Sequence, residues 1–224
     1  ERQTLAHGLR LGAVFEFRGP PFPSVSGWIT LSAMQRIGLF GGSFDPIHTG
    51  HLLLAQAAVE ELGLTRLFFI LAAQSPFKAG HQFAPATARM QLLRLALAGK
   101  TNCEVDDQEI NRGGVSYTID TVRDYARRFP DAQLYYLIGA DNVANLPKWR
   151  AADELARLAE FAVIPRPGEA AEPLPPLFRG RTLQGFPFGI SASQIRARVK
   201  TGQTIDQLVP AAVAEAIGNN RLYL

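Results

Sequence analysis

Six short apolar runs alternate with longer stretches in which apolar positions recur at helical spacing. The first run, 36–40 (Arg-Ile-Gly-Leu-Phe), opens just after Met34 and is broken by Gly41-Gly42-Ser43. Further runs fall at 66–72, 102–106, 133–138, 160–164 and 181–186. Continuous apolar runs of this length, bounded by Gly or Pro, predict strands buried on both faces. Between them, the spacing predicts helices over about 51–62, 87–98, 118–128, 152–158, 192–201 and 206–217, with Gly63, Gly99 and Pro130 as stops. Thr118 is expected to cap its helix, and Ser191 or Ser193 the late one. Strand–helix alternation predicts one α/β domain: a Rossmann-like, doubly wound parallel sheet with helices on both faces. In such sheets ligands bind beyond the strand C-terminal ends, so the chemistry is sought in the loops that follow strands.

Residues 1–33 do not fit this rhythm. They carry Gly19-Pro20-Pro21-Phe22-Pro23 and no clear period. They are expected to form an N-terminal extension outside the fold, disordered or translated from upstream, with the folded domain covering 34–224. A signal peptide is the alternative, and Pro, Glu and Arg interrupt the apolar core it would need. Composition adds little. At 224 residues and 47% hydrophobic, the chain has ample core for one domain and no apolar run approaching the ~20 residues of a membrane span. A single cysteine, Cys103, excludes an intrachain disulfide and suits a reducing compartment. A net charge of +3 fits anionic substrates. No basic stripe with interleaved aromatics points to nucleic acid.

The loop after the first strand concentrates the chemistry: Gly41-Gly42-Ser43-Phe44-Asp45-Pro46-Ile47-His48-Thr49-Gly50-His51. The two glycines are expected to allow close ligand approach and positive φ. Thr49 and Gly50 stand at a helix start, where unpaired N–H groups favour anions. His48 and His51 bracket that start, so both rings can face one phosphate and adjust its charge near neutral pH. A metal site is the weaker reading, since no third ligand is evident. The string resembles the nucleotidyltransferase superfamily with its His-x-Gly-His signature. That resemblance implies that the histidines contact ATP phosphates.

Four later segments narrow the resemblance to the bacterial nicotinate mononucleotide adenylyltransferases. They are Ser75-Pro76-Phe77-Lys78, Ser116-Tyr117-Thr118-Ile119-Asp120-Thr121, Gly139-Ala140-Asp141 with Trp149 eight residues on, and Ile190-Ser191-Ala192-Ser193-Gln194-Ile195-Arg196. In the last, Ala192 and Ser193 replace the commoner Ser and Thr, and Ser193 keeps a hydroxyl. The resemblance spans residues 34–224. It implies an ATP site built from Gly41, Gly42, Ser43, Phe44, His48, His51, Gly139, Asp141, Ile190, Ser191, Ser193 and Arg196. It implies a mononucleotide site built from Ser43, Lys78, Tyr117, Thr118 and Trp149. Within these, Asp141 is expected at a ribose diol and Trp149, on an exposed loop, against the pyridine ring. The helix start at Thr118 is expected to receive the pyridine carboxylate.

The expected reaction transfers the adenylyl group of ATP to nicotinic acid mononucleotide, releasing pyrophosphate, as a step of cytoplasmic NAD biosynthesis. His48, His51, Lys78 and Arg196 are the candidates for neutralising transition-state charge. No general base and no covalent intermediate are expected, and Mg²⁺ is expected to arrive with ATP. The rival readings are a phosphopantetheine adenylyltransferase, an enzyme preferring nicotinamide mononucleotide, and a nucleotide-binding protein without turnover. Monomer and homo-oligomer both remain open.

Overall fold

The computed structural model describes residues 34–74, 82–165, 172–186 and 189–224. The expected extension, 1–33, therefore lies outside the described residues, as do Lys78 and residues 166–171 of the Pro-rich 165–178 loop. Six strands form one sheet: β1 Arg36–Gly42, β2 Arg66–Leu71, β3 Cys103–Asp106, β4 Gln133–Gly139, β5 Glu160–Ile164 and β6 Gly180–Thr182. Their spatial order is β3-β2-β1-β4-β5-β6, and every neighbouring pair is parallel. Parallel neighbours require crossovers, which the helices supply. These are α1 Thr49–Leu62, α2 Ala86–Leu97, α3 Gln108–Arg112, α4 Thr118–Arg128, α5 Ala152–Leu158, α6 Ala192–Lys200 and α7 Ala211–Asn219. A 3₁₀ helix, Ala140–Lys148, follows β4 directly.

The period of two in a strand splits its side chains between two cores. In β2, Leu67, Phe69 and Leu71 point to one cluster and Phe68 and Ile70 to the other. The first cluster is closed by Ala55, Ala58 and Leu62 of α1, Leu92 and Leu93 of α2, Ile195 of α6 and Val213 of α7. The second is closed by Ile119, Val122 and Tyr125 of α4, Leu146 of the 3₁₀ helix and Leu155 of α5. This is the doubly wound sheet that the alternation predicts.

Several boundaries depart from expectation for physical reasons. The apolar signal at 181–186 misplaces β6. The strand is a three-residue exposed edge, and the buried Leu183 belongs to the loop beyond it. The last helix begins at Ala211 rather than 206, because Pro210 sits at its N-cap and Gln207 takes a left-handed φ of 67°. Helix α3 and the 3₁₀ helix were not foreseen. The first has five residues and the second contains Pro147, so neither shows a helical period. Helix α4 has the predicted span, but Tyr117 occupies its N-cap and no side chain caps it. At Ser191 the expectation holds: its hydroxyl accepts from Gln194 N–H, and the Gln194 side chain answers at the Ser191 amide. Among the described residues, no helix is long and apolar enough to cross a membrane.

Leu93 is fully buried between α2 and the sheet and lines neither lobe of the cleft described below. Leu93→Ala is expected to lower stability by about 3 kcal/mol, the usual cost of a core cavity. Urea denaturation would register this as a lower midpoint with an unchanged slope.

Candidate active site

Strand order reverses between β1 and β4, and there the C-terminal strand ends leave a cleft of two lobes. One has a volume of 440 Å³ and is lined by Gly41, Glu109, Ser116, Thr118, Tyr136, Asn142 and Trp149, among others. The other measures 730 Å³. Its lining includes Phe44, Asp45, His48, Gly50, His51, Phe186, Ile190, Ser191, Ser193 and Arg196. Phe40, Gly42, Ser43, Gly139 and Asp141 line both. Each volume falls in the usual range for small-molecule sites.

The wall they share is shaped by missing side chains. A Cβ on Gly41 would stand 2.5 Å from the Tyr136 hydroxyl, and one on Gly139 would stand 2.5 Å from Asp141 Oδ1. Gly41 and Gly42 therefore serve close approach. Neither has a positive φ; both lie within β1, and the left-handed turn falls on Phe44, at φ 42°. That unfavourable conformation is offset by burial of its ring, which meets Phe40 edge-on at 5.5 Å.

The loop after Phe44 is held by buried polar groups from distant segments. Asp45 is 1% exposed, and its Oδ1 accepts from Ala84 N–H at 3.2 Å and Tyr223 O–H at 2.9 Å. Arg196 Nη1 donates to the Asp45 carbonyl at 2.7 Å and lies 3.7 Å from Asp45 Oδ2. Arg89 is buried although charged. Its guanidinium donates to the carbonyls of Ala84, Ser43 and Ala72, tying the ends of β1 and β2 together. Glu61 accepts from the amides of Gln184 and Gly185, which fixes the segment leading to Phe186.

His48 and His51 stack, with ring centroids 3.7 Å apart. His51 Nδ1 accepts from the His48 amide at 3.2 Å, so the proton of a neutral His51 ring sits on Nε2. His48 is buried, and burial pushes its pKa down to about 4. The two rings therefore do not form a freely titrating pair near neutral pH: at pH 7 the unliganded His48 is neutral. Its Nδ1 is buried with no hydrogen-bond partner among the described residues and faces the space that a Cβ on Gly50 would restrict. An orphaned polar atom of this kind costs about 1–3 kcal/mol and commonly marks a ligand or water position. Thr49 is less available than expected, because its amide donates to Leu208 O and its hydroxyl to Gln207 O. The anion-facing donors thus narrow to Gly50 and the imidazoles.

In the smaller lobe, Ser116 ties its segment to the end of β2: its amide donates to Gln74 O, and its hydroxyl accepts from Ala73 N–H. Glu109 is buried, accepts from Thr121 Oγ1 at 2.5 Å, and has its pKa raised by burial. Trp149 is half-buried rather than exposed. Its ring stands edge-on to Tyr136 at 6.2 Å while also lining the lobe. Tyr117 lines neither lobe, and the Arg150 guanidinium lies over its ring at 4.7 Å. Thus Gly42, Ser43, Phe44, His48, His51, Gly139, Asp141, Ile190, Ser191, Ser193 and Arg196 converge on the larger lobe, and Gly41, Ser43, Thr118 and Trp149 on the smaller. Lys78 is outside the described residues. Sequence reasoning missed Arg89, Glu109, Glu61, Tyr136 and Tyr223. The spacing of Glu109 and Arg112 on one helix turn was a faint signal for one of them.

A sheet of this order, with a His-x-Gly-His loop at the reversal and helix starts facing the cleft, defines a nucleotide-binding α/β protein of the nucleotidyltransferase class. Comparison with known proteins agrees and goes further. Residues 39–198 match the cytidylyltransferase-like family. A relative from Herpetosiphon aurantiacus, named "Probable nicotinate-nucleotide adenylyltransferase", is 39% identical over 85% of this chain and 100% of its own. A relative of the same name from Gemmatimonas aurantiaca is 42% identical over 84% of this chain and 92% of its own. The solved nicotinic acid mononucleotide adenylyltransferase of Plasmodium falciparum, complexed with NaAD, has the same fold, with a TM-score of 0.69. It is 16% identical, and the match covers 84% of this chain and 97% of that one. The chain belongs to the nicotinate-nucleotide adenylyltransferase family, within the cytidylyltransferase-like group.

Two measurements check this geometry. In Gly41→Ala the new methyl meets the Tyr136 hydroxyl, so the smaller lobe is expected to lose ligand affinity by about tenfold. Adding Tyr136→Phe should restore part of it, as read by titration calorimetry. For His48, a folded-state pKa below the unfolded value means that the unfolded chain binds more protons between pH 6.5 and 4. Its contribution is therefore present above pH 6.5 and is lost as pH falls toward 4. Thermal melts should show that loss, and His48→Gln should flatten it.

Proposed function

We propose that this enzyme transfers the adenylyl group of ATP to nicotinic acid mononucleotide, giving nicotinic acid adenine dinucleotide and pyrophosphate. The observation that carries the reading is the meeting of the two lobes across Gly42, Ser43, Gly139 and Asp141, beside the His-x-Gly-His loop. Two substrates bound in adjoining lobes would bring their phosphates together at that shared wall. Membership of a family named for this reaction supports the substrate pair.

In this reading the triphosphate lies in the larger lobe, toward His48, His51 and Arg196, and the ribose near Asp141. The pyridine ring lies in the smaller lobe against Trp149, with its carboxylate toward the start of α4 at Thr118. The mononucleotide phosphate has a second pKa of about 6, so it is largely dianionic at neutral pH and needs no general base. Its oxygen attacks the α-phosphorus in line. The new phosphorus–oxygen bond forms as the bond to the bridging α–β oxygen breaks, and that electron pair leaves with pyrophosphate. The protein contributes position and charge stabilisation. The guanidinium of Arg196, anchored on the Asp45 carbonyl, supplies fixed positive charge. An anionic phosphate beside His48 favours its protonated form, opposing the effect of burial. Lys78 is assigned the same charge-neutralising role.

The residues present fit a magnesium ion carried by the nucleotide rather than one caged by protein. Among the described residues, no group of three His, Cys, Asp or Glu side chains could hold a metal. Asp141 is the exposed carboxylate at the shared wall, and phosphate oxygens and water would supply the remaining ligands. Such an ion offsets charge on the departing pyrophosphate. The cytoplasm is the compartment this reading assigns.

The test is pyrophosphate release with ATP and Mg²⁺ in the presence of nicotinate mononucleotide, nicotinamide mononucleotide or phosphopantetheine. The nicotinate form is expected to be the best acceptor. Preference for the amide would remove the carboxylate site at Thr118, and release with phosphopantetheine alone would overturn the substrate assignment. His48→Ala and His51→Ala are each expected to reduce the transfer rate by roughly 10²–10³.

A further inference from the structure

The turn after α7 packs Leu222 and Tyr223 against the first core cluster and also makes one long-range polar contact. After α7, the amides of Arg221 and Leu222 donate back to Gly218 O and Ile217 O. Arg221 and Tyr223 both adopt left-handed backbone, at φ 49° and 69°. For residues with a Cβ, each such conformation costs on the order of 1 kcal/mol or more. The result of this double bend is to bring the Tyr223 hydroxyl to the Asp45 carboxylate, 178 positions away in sequence, at 2.9 Å.

Asp45 needs that donor. Its carboxylate is buried; one oxygen is shared by Tyr223 and the Ala84 amide, and the other has no hydrogen bond and faces Arg196 at 3.7 Å. Arg196 instead hydrogen-bonds the Asp45 backbone carbonyl at 2.7 Å and the Ser193 hydroxyl at 3.3 Å. An arginine beside a poorly satisfied carboxylate favours a close, two-pronged pair with it. The Tyr223 hydroxyl competes for the same carboxylate. Burial and the Asp45 charge both push the Tyr223 pKa up, so the phenol stays protonated and keeps donating.

We infer that Tyr223 is a positioning residue for the triphosphate lobe: by hydrogen-bonding Asp45, it keeps Arg196 from collapsing onto that carboxylate and holds the guanidinium at the lobe wall. The inference rests on assigning the lobe of His48 and Arg196 to the triphosphate. Among the described residues, the charged groups around Asp45 are Arg196 and Arg89, and Arg89 is committed to backbone carbonyls. Arg196 is therefore the cation that removal of the phenol would release toward Asp45.

Tyr223→Phe removes the hydroxyl and keeps the ring. Calorimetric titration of the intact chain with ATP is expected to show about tenfold weaker binding. The KM for the mononucleotide should stay within twofold, while the melting temperature should fall by a few degrees because a buried carboxylate loses its donor. Asp45→Asn is the second variant: with the carboxylate charge gone, adding Tyr223→Phe should weaken ATP binding by less than twofold further. Unchanged ATP affinity in Tyr223→Phe would overturn the inference. So would equal weakening of both substrates, the mark of a merely structural tail. The titration needs no turnover. A wild-type chain that binds ATP without transferring it would sink the functional reading, while a tenfold loss in Tyr223→Phe would still uphold this one. A wild-type chain that does not bind ATP would sink both.

Discussion

A parallel sheet can be wound outward from a central strand in two directions, and the strand ends at the starting point cannot both be covered by the same crossovers. In this chain that point is the junction of β1 and β4, and the rest of the site depends on it. The connection from β1 runs to α1 on one face, while the chain leaving β4 turns into the 3₁₀ helix that packs on the other. The gap between them is floored by Gly41, Gly42 and Gly139, where the absence of side chains lets Tyr136 and Asp141 approach the backbone. Both lobes of the cleft open from that floor, side by side.

Holding the loop over this gap takes buried polar groups. Asp45 and Arg89 each bind main-chain or side-chain groups from segments far along the chain. Burying a charge is costly unless it is matched: backbone carbonyls match Arg89, and the Ala84 amide and Tyr223 hydroxyl match one oxygen of Asp45. Such pairing fixes direction as well as energy, so the loop keeps one geometry. The histidines follow a different logic. Burial keeps His48 neutral, which avoids an unpaired charge in the fold.

Much of this was legible in the sequence, for identifiable reasons. Strands buried on both faces read as continuous apolar runs, so β1, β2, β4 and β5 were found within two residues. The one exposed strand, β6, was misplaced because the neighbouring loop carries the apolar signal at Leu183. Local motifs predicted which residues gather: the His-x-Gly-His loop and the capped start of α6 both line the larger lobe. What stayed hidden is long-range. Tyr223 meets Asp45 and Arg89 meets Ser43 across 178 and 46 positions, and no periodicity encodes such contacts. The tilt of a single ring was hidden too. Trp149 was expected on an exposed loop, yet the 3₁₀ helix before it, broken in pattern by Pro147, carries it inward against Tyr136.

The proposed in-line transfer between two substrates held side by side is tested most directly by a label on the α-phosphate of ATP, followed in the presence of Mg²⁺ and nicotinate mononucleotide. The label is expected in nicotinic acid adenine dinucleotide, with one pyrophosphate released per dinucleotide and no label attached to protein. Label recovered only as AMP, or retained covalently on the chain, would contradict it.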